Sequence, residues 1–250
     1  MIRTLAVILL MVLPAWQTNR KADVADGFET GTLSKIWGTW RFVPGAVEFQ
    51  SACVKSGKRA IKITLHPGDQ MADEKGTVLE RAELTESAKL VSLEDSVYEH
   101  SFSLFLPRDF PVVPTRLVIA QWKQYCASGD CAIDNPVIAL RYESGEFRVT
   151  LKTQPKTLTL YSQNEDIRDQ WLDFRFRICF SRTRDGHVSA WLNNQEIIDY
   201  TGITAYSEDY GYPAPGYFYF KIGLYRDHMN LPMTIYIDDY RKKQISDISE

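Results

Sequence analysis

Apolar and polar residues alternate along most of the chain. Clear examples are the segments RAIKITL (59–65), FRVTLKT (147–153), FRFRICF (174–180) and TIYIDDY (234–240). Alternation over about four to eight residues marks β-strands with one buried face. Turn signals such as PGD at 67–69 separate these runs, and we find no long amphipathic helix. The pattern predicts an all-β chain, folded as one antiparallel sandwich of two packed sheets with a jelly-roll topology.

The first 15 residues, MIRTLAVILLMVLPA, differ from the rest of the chain. Arg3 supplies a positive flank, and residues 5–13 form an apolar run of nine. This run is shorter than the about 20 residues that a membrane-spanning helix needs. It predicts a secretory signal peptide over 1–15, ending at the latest near residue 25, with an N-terminal anchor as the alternative. We therefore expect one domain over 26–245, in a secreted or periplasmic protein that has no membrane span once the signal is removed.

The net charge bears on the class of ligand, and the cysteines bear on the compartment of the protein. The chain has 29 basic and 32 acidic residues, a net charge of −3, which argues against nucleic acid as a partner. An anionic ligand would instead need a local basic groove. Cys126 and Cys131 bracket the turn-like sequence ASGD and predict a disulfide in an oxidising compartment. Cys53 and Cys179 lie in or near strand-like runs, and they either pair or remain buried thiols.

Three predicted strands carry polar side chains on one face. They are LERAELTE (79–86), LVIAQWKQY (117–125) and YFYFKIGLYRD (217–227). Side chains two residues apart project from the same face of a strand. The polar rows contain Arg81, Glu83 and Thr85, then Gln121, Lys123 and Tyr125, then Tyr219, Lys221, Gly223 and Tyr225. Val118 falls in the apolar row of the second segment. Three such rows predict a binding sheet, whereas one row alone is equally typical of an ordinary solvent-exposed strand.

ERAEL, AQWK and YFKIGLYR also resemble the three strand motifs of jelly-roll polysaccharide lyases, a group that includes heparin lyase I, glucuronan lyases and alginate lyases. The third motif is the most specific, and the order of the motifs along the chain agrees. The resemblance implies a concanavalin A-like β-sandwich. It also implies a secreted enzyme that cleaves a uronate-containing polysaccharide by β-elimination, leaving a 4,5-unsaturated uronate end.

The resemblance further implies roles for individual residues. Tyr225 matches the catalytic tyrosine that protonates the leaving glycosidic oxygen, and Lys221 matches the lysine beside it. Arg81 and Gln121 match groups that hold the substrate carboxylate. Glu83 belongs to the same substrate-binding set, and its expected task is to orient Arg81.

This chain departs from the family pattern at Lys123, which stands where the family has its catalytic histidine, so the identity of the base is open. In β-linked glucuronate or mannuronate, H5 and O4 lie on the same side of the sugar. One tyrosine can then act as base and acid in turn. Lys221 and Arg226 flank Tyr225 in sequence, and nearby cations favour a phenolate. We therefore expect glucuronate- or mannuronate-type linkages, with Lys123 as a carboxylate ligand or an unusual base.

Other residues complete the predicted site. Substrate contacts are also expected from Tyr219, Tyr125, Arg226 and His100, and His100 is a second candidate base, although a structural role is the commoner one for such a histidine. No cofactor is expected to be required. Glu29 with Asp238 or Asp239 forms a candidate structural calcium site, because calcium prefers oxygen ligands. The alternative is that these acids are simply solvated.

Competing functions follow from the same residues. A glycoside hydrolase needs two carboxylates that flank the scissile bond. Glu80, Glu83 and Glu86 are three residues apart, so they alternate between the faces of a strand and cannot act together. A non-catalytic carbohydrate-binding protein is the stronger alternative, because a fold can persist after its chemistry is lost. We expect the protein to be a monomer.

Overall fold

The computed structural model describes residues 23–72 and 78–246 of the chain, so the predicted signal peptide at 1–15 lies outside the described residues. The strands are β1 (Asp23–Asp26), β2 (Trp37–Arg41), β3 (Val47–Gln50), β4 (Ala60–Leu65), β5 (Gln70–Ala72), β6 (Val78–Glu86), β7 (Ser92–Leu93), β8 (Val97–Phe105), β9 (Leu117–Gln124), β10 (Ile138–Glu143), β11 (Glu146–Leu151), β12 (Leu158–Gln163), β13 (Trp171–Cys179), β14 (His187–Leu192), β15 (Gln195–Thr201), β16 (Tyr217–Arg226) and β17 (Met233–Ile245). Short 3₁₀ turns cover Ala88–Leu90 and Glu208–Tyr210.

The strands form two antiparallel sheets. The back sheet has the order β15-β14-β13-β8-β17-β4-β3, with β1 added to β17. The front sheet has the order β12-β11-β10-β9-β16-β6-β2, with β5 added to β6 and β7 added to β16. Strands that are distant in sequence are neighbours in both sheets, as when β16 lies between β6 and β9. The predicted β-sandwich of the concanavalin A-like, jelly-roll class is confirmed.

Aromatic side chains from the inner faces of both sheets meet in the core. Trp122 of the front sheet lies 4.7 Å from Phe176 of the back sheet, measured between ring centroids. Phe220 of the front sheet lies 5.8 Å from Phe102 of the back sheet. All four rings are almost fully buried. Burying a side chain of this size stabilises the fold by about 1.5–3 kcal/mol, so this layer accounts for much of the attraction between the sheets.

The front sheet bends sharply where β9 and β16 each contain an extra residue. Ile222 pairs with Ala120, whereas Tyr225 pairs with Val118, so the ladder between β16 and β9 shifts. A second shift occurs between β9 and β10, at Ile119. Such bulges redirect side chains. Ile119 therefore joins the core, and Val118 turns to the outer face, which corrects the apolar row predicted from strict alternation.

Gly223 lies at this bend, and its backbone requires glycine. Its φ angle is +146°, and a Cβ atom there would lie 2.1 Å from the carbonyl oxygen of Ala82. No side chain other than hydrogen fits between β16 and β6 at this point. The outer face of the front sheet is therefore open above Gly223.

The cysteines are partly as predicted. Cys126 and Cys131 form the predicted disulfide. Cys53 and Cys179 are both free thiols and do not pair with each other. Cys179 is a buried thiol, which is one of the two predicted alternatives, and Cys53 is partly buried. No helix in residues 23–72 and 78–246 is long and apolar enough to cross a membrane.

Candidate active site

A cleft of about 470 Å³ lies on the outer face of the front sheet, above β6, β16, β9 and β10. Its basic lining residues are Arg81, Arg116, Lys123, Arg141 and Lys221, and Asp134 is the acidic one. The whole chain has a net charge of −3, so this positive charge is a local feature. The cleft is the kind of basic groove that an acidic ligand would need.

Tyr225 lies at one end of the cleft, between two guanidinium groups. In the ladders of the front sheet it pairs with Arg81 on β6 and with Val118 on β9. The guanidinium carbon of Arg81 lies 4.3 Å from the centroid of the tyrosine ring, and that of Arg116 lies 4.7 Å from it. Both distances are those of cation–π contacts, so two cations lie against the ring of Tyr225.

Arg116 is fixed in place by Asp227. The Nε and Nη2 atoms of Arg116 donate to Asp227 Oδ1 over 3.0 and 2.5 Å. Burial lowers the pKa of Arg116, but the hydrogen bond to Asp227 and the interaction with Tyr225 outweigh burial and raise it above its usual value. Arg116 therefore keeps its charge next to Tyr225.

Glu83 lies beneath the residues that line the cleft and is fully buried. Its Oε2 atom lies 3.1 Å from Arg81 Nε, and its Oε1 atom accepts a short hydrogen bond from Gln121 Nε2. Glu83 pairs with Gly223 in the ladder, so it reaches β9 across a position that has no side chain. Glu83 thus contacts Arg81 and Gln121 together, and its burial favours the orienting task expected of it over a direct contact with substrate.

The other end of the cleft is formed by Lys123 and the loop that the disulfide closes. Lys123 pairs with Tyr219 in the ladder, and its Nζ atom lies 2.7 Å from Asp134 Oδ1. Tyr125, at the start of the loop, is 57% exposed. Lys221 lies between the two ends, with its Nζ atom 5.6 Å from the ring centroid of Tyr219. The structure therefore brings the three predicted polar rows together in one cleft.

Arg226 does not belong to this cleft, so its predicted contact with substrate is wrong. The next residue along a strand points to the opposite face. Arg226 is fully buried there, with its Nε atom 2.7 Å from Glu80 Oε2 and Nη1 donating to the carbonyl oxygen of Leu231. The sequence predicts Arg226 as a cation beside Tyr225. The cations that lie there in the structure are Arg81 and Arg116.

His100 also lies outside the cleft, and its predicted contact with substrate is wrong. It belongs to β8 of the back sheet and faces the core, 5.6 Å from Trp122 and 5.4 Å from Phe220 between ring centroids. Burial lowers the pKa of His100 well below its usual value, and the nearby charge of Lys242 adds to this. Both causes favour the neutral imidazole, which sits behind the sheet that carries the cleft.

Arg116 and Arg141 are cleft residues that the sequence motifs do not include. Arg116 directly precedes the second polar segment. Arg141 lies in the strand IALRYE, whose alternate residues Ile138, Leu140 and Tyr142 are buried. The alternation of that strand would have placed Arg141 on an outer face, but nothing local indicates that β10 is the neighbour of β9.

The carboxylates of the predicted calcium site bind backbone groups of the loop that precedes β4. Glu29 accepts hydrogen bonds from the N–H groups of Lys58 and Arg59, and these lower its pKa. Asp238 Oδ2 accepts from the N–H groups of Lys55 and Ser56. Donors aimed at these oxygens compete with a cation, and no group of three or more metal-ligating side chains occurs in the described ranges. This donor set does not fit calcium, and the ion has no part in the mechanism proposed below.

The acidic residues of β6 are separated as their spacing predicts. Glu83 faces the cleft, whereas Glu80 and Glu86 lie on the opposite face, paired with Arg226 and Lys242 respectively. No two of these three carboxylates can flank one glycosidic bond. The arrangement does not support a retaining or inverting hydrolase at this strand.

Comparisons with known proteins agree with the fold. A family model described as polysaccharide lyase matches residues 28–241. An endo-β-1,4-glucuronan lyase from the fungus Trichoderma reesei is 16% identical, with a TM-score of 0.67 over 84% of this chain and 91% of that chain. An alginate lyase of polysaccharide lyase family 7 is 14% identical, with a TM-score of 0.57 over 81% and 84% of the two chains. No curated protein matches the chain.

A third solved structure is an alginate lyase mutant, with one lysine and one tyrosine replaced by alanine, in complex with alginate tetrasaccharide. It is 12% identical, with a TM-score of 0.56 over 89% of this chain and 97% of that chain. At these identities the solved structures show the shared fold, and the family model shows the membership. The chain belongs to the polysaccharide lyase family, and the protein is a lyase that acts on a polysaccharide.

Proposed function

We propose that this lyase cleaves a uronate-containing polysaccharide by β-elimination, with Tyr225 as both base and acid. The observation that carries the proposal is the position of Tyr225 between the guanidinium groups of Arg81 and Arg116, in a cleft lined mainly by cations. Arg81 and Gln121, both held by Glu83, are placed to bind the carboxylate of the uronate that reacts.

The proposed steps are as follows. Arg81 and Gln121 bind the uronate carboxylate, which makes the C5 proton more acidic because charge that develops on the carboxylate is stabilised. The Tyr225 phenolate removes the C5 proton, and the electron pair forms the C4–C5 double bond. The C4–O4 bond breaks, and the leaving oxygen takes the proton from Tyr225, which restores the phenolate. The products are a new chain end and a 4,5-unsaturated uronate.

This mechanism favours linkages in which H5 and O4 lie on the same side of the sugar, which is the case for glucuronate- and mannuronate-type residues. The fold shared with an endo-β-1,4-glucuronan lyase supports glucuronate as the first substrate to test. Guluronate and iduronate place the two groups on opposite sides and need a separate base.

Lys123 is assigned to substrate binding in this proposal. Its ammonium group is paired with Asp134 at 2.7 Å, and an ammonium has no lone pair with which to accept the C5 proton. The alternative to exclude is that Lys123 is the base. In that case the base and the acid would be separate groups.

Secretion is part of the proposal. The apolar segment at 1–15 supports a signal peptide, and the disulfide between Cys126 and Cys131 supports an oxidising compartment. N-terminal sequencing of protein recovered from the culture medium or the periplasm would test this, and a mature chain that begins at Trp16 is the expected result.

The test is ultraviolet absorbance of the new conjugated double bond on a panel of glucuronan, polymannuronate, polyguluronate, hyaluronan, chondroitin and heparin. We expect a rise on glucuronan or polymannuronate. Tyr225→Phe should lose about 10³-fold or more in kcat, because one group performs both proton transfers. Tyr236→Phe, on the back sheet, is the control and should keep full activity. Binding without any absorbance rise on the panel would favour a non-catalytic carbohydrate-binding role.

Lys123→Ala separates the two versions of the mechanism. If Lys123 binds substrate, kcat stays within a few-fold of wild type and KM rises by up to about tenfold. A loss of kcat as large as that of Tyr225→Phe would make Lys123 the base and would contradict the single-tyrosine mechanism.

A further inference from the structure

A row of side chains crosses the front sheet from β11, next to the edge strand β12, to the catalytic end of the cleft. Arg148 on β11 is directly opposite Arg141 on β10, Arg141 is opposite Val118 on β9, and Val118 is opposite Tyr225 on β16. Like charges directly opposite each other on neighbouring strands destabilise a sheet. Repulsion between the two arginines must therefore be offset, either by acids in the protein or by an anionic ligand.

The two arginines are compensated very differently. Arg148 Nη2 lies 2.7 Å from Glu143 Oε2, and Arg148 Nη1 lies 3.4 Å from Glu146 Oε2. Arg141 donates from Nε to Thr150 Oγ1 over 3.1 Å, and within residues 23–72 and 78–246 no carboxylate forms an ion pair with it. Burial lowers the pKa of Arg141, and the charges of Arg116 and Arg148 lower it further. The free protein thus holds a cation here that lacks a paired anion.

The space around Arg141 suits an anionic group. Val118 is the residue between Arg141 and Tyr225, and its short apolar side chain lines the cleft between them. Arg116 lines the same end of the cleft. An oxyanion above Val118 would meet two guanidinium groups, and hydrogen bonds between charged partners are the strong ones.

We propose that Arg141 and Arg116 form an anion-binding subsite beside Tyr225, which binds the acidic group of the sugar next to the one that reacts. The inference rests on the proposed function, in which Arg81 and Gln121 hold the carboxylate of the reacting uronate. The ligand is a carboxylate or a sulfate on the neighbouring sugar. The lyase would then select chains in which adjacent sugars are both acidic.

The experiment is calorimetric titration of the full-length Tyr225→Phe variant, which binds without cleaving, with tetraglucuronate and with a heparin tetrasaccharide. Arg141→Gln is added to this background, and Arg148→Gln is the matched control from the facing strand. We expect Arg141→Gln to weaken tetraglucuronate binding by about 10- to 100-fold and Arg148→Gln to change it less than about twofold. A loss on the heparin tetrasaccharide alone would assign the subsite to sulfate instead of carboxylate.

Thermal unfolding distinguishes a binding role from a structural one. Arg141→Gln removes an uncompensated charge, so its midpoint should equal or exceed that of the parent, whereas Arg148→Gln loses two ion pairs and should unfold at the same or a lower temperature. Equal affinities of the two variants for both probes, or a lower midpoint that accompanies the loss of affinity in Arg141→Gln, would overturn the subsite.

Failure of the proposed function gives a different result. If wild-type protein makes no unsaturated product but Tyr225→Phe binds tetraglucuronate, β-elimination is wrong, and the comparison of Arg141→Gln with Arg148→Gln still decides the subsite. If neither oligosaccharide binds to Tyr225→Phe, the subsite is wrong as well.

Discussion

The two sheets both carry basic side chains on their outer faces, but they pair them in different ways. On the back sheet several cations have an acid on a neighbouring strand, such as Arg177 with Glu99 at 2.8 Å and Lys62 with Glu48 at 3.2 Å. On the front sheet the acids Glu83 and Asp227 fix cations in position but do not line the cleft, and Arg141 faces another arginine. The faces therefore differ at Arg141, which has no carboxylate partner among the described residues and is left available for a ligand.

The difference indicates which face of the sandwich binds a ligand. A surface ion pair contributes little to stability, so the back sheet needs no ligand to explain its charges. A partly buried cation without a partner costs stability, and a ligand that supplies the anion explains why it is retained.

The largest change in stability is expected for Glu83, the buried acid of the front sheet, in comparison with Glu99, a paired acid of the back sheet. Glu83→Gln leaves Arg81 without a counter-charge, so we expect a loss of about 3 kcal/mol in the free energy of unfolding. Glu99→Gln, the control, should cost about 1 kcal/mol or less. Urea denaturation measures both. Equal losses in the two variants would remove the distinction between the two faces.

The same variants should also differ in activity. Glu83→Gln disorders Arg81 and Gln121, so kcat/KM on glucuronan should fall about 100-fold, whereas Glu99→Gln should keep the wild-type value. Since Glu83 acts through its neighbours, the loss should appear even under conditions in which the variant is fully folded.

His100 supplies a pH dependence that belongs to the core and not to the cleft. Its pKa in the folded protein is well below the value of about 6.5 in an unfolded chain, so below that pH the unfolded state binds the additional proton. Stability should therefore fall by up to about 1.4 kcal/mol for each pH unit below about 6.5, until the folded-state pKa is reached.

His100→Leu tests this assignment. The variant should lose the part of the acid sensitivity that His100 contributes, as measured by urea denaturation between about pH 6.5 and 4.5, while kcat at neutral pH stays near wild type. If the pH dependence of the free energy of unfolding is unchanged and kcat falls, His100 has a catalytic role and the assignment to the core is wrong.

The smallest effect is expected on the back sheet. Lys62→Gln breaks an exposed pair with Glu48, and kcat/KM on glucuronan should stay within about twofold of wild type, with a stability change of about 0.5 kcal/mol or less. A loss of polysaccharide binding in this variant would mean that the paired face also contacts the ligand.

Much of the fold and the three polar rows can be predicted from alternation, because a strand that is buried on one face must alternate. The predictions for individual residues are wrong where the strands depart from strict alternation or where a residue follows a cleft residue in the chain. Val118 turns outward because β9 has an extra residue at Ile119, and no sequence pattern marks that bulge. Arg226 follows Tyr225 in the chain, and because consecutive strand residues face opposite sides, it lies away from the cleft.

The arginines beside Tyr225 were missed for a different reason. Arg116 and Arg141 meet Tyr225 only because β9 lies between β10 and β16, which is a property of the sheet order and not of any local segment. Asp134 reaches Lys123 from the segment that follows the disulfide-closed loop 126–131. Such pairings depend on topology and tertiary contacts, so a single sequence does not reveal them.

The central claim is that the cleft around Tyr225 performs an elimination and not a hydrolysis. Mass spectrometry of the fragments made from tetraglucuronate tests it most directly, because elimination adds no water to the products. The account predicts one intact and one dehydrated fragment, whose masses add up to the mass of the tetrasaccharide, and no fragments from the Tyr225→Phe variant. Fragments whose combined mass exceeds that of the tetrasaccharide by one water would contradict it.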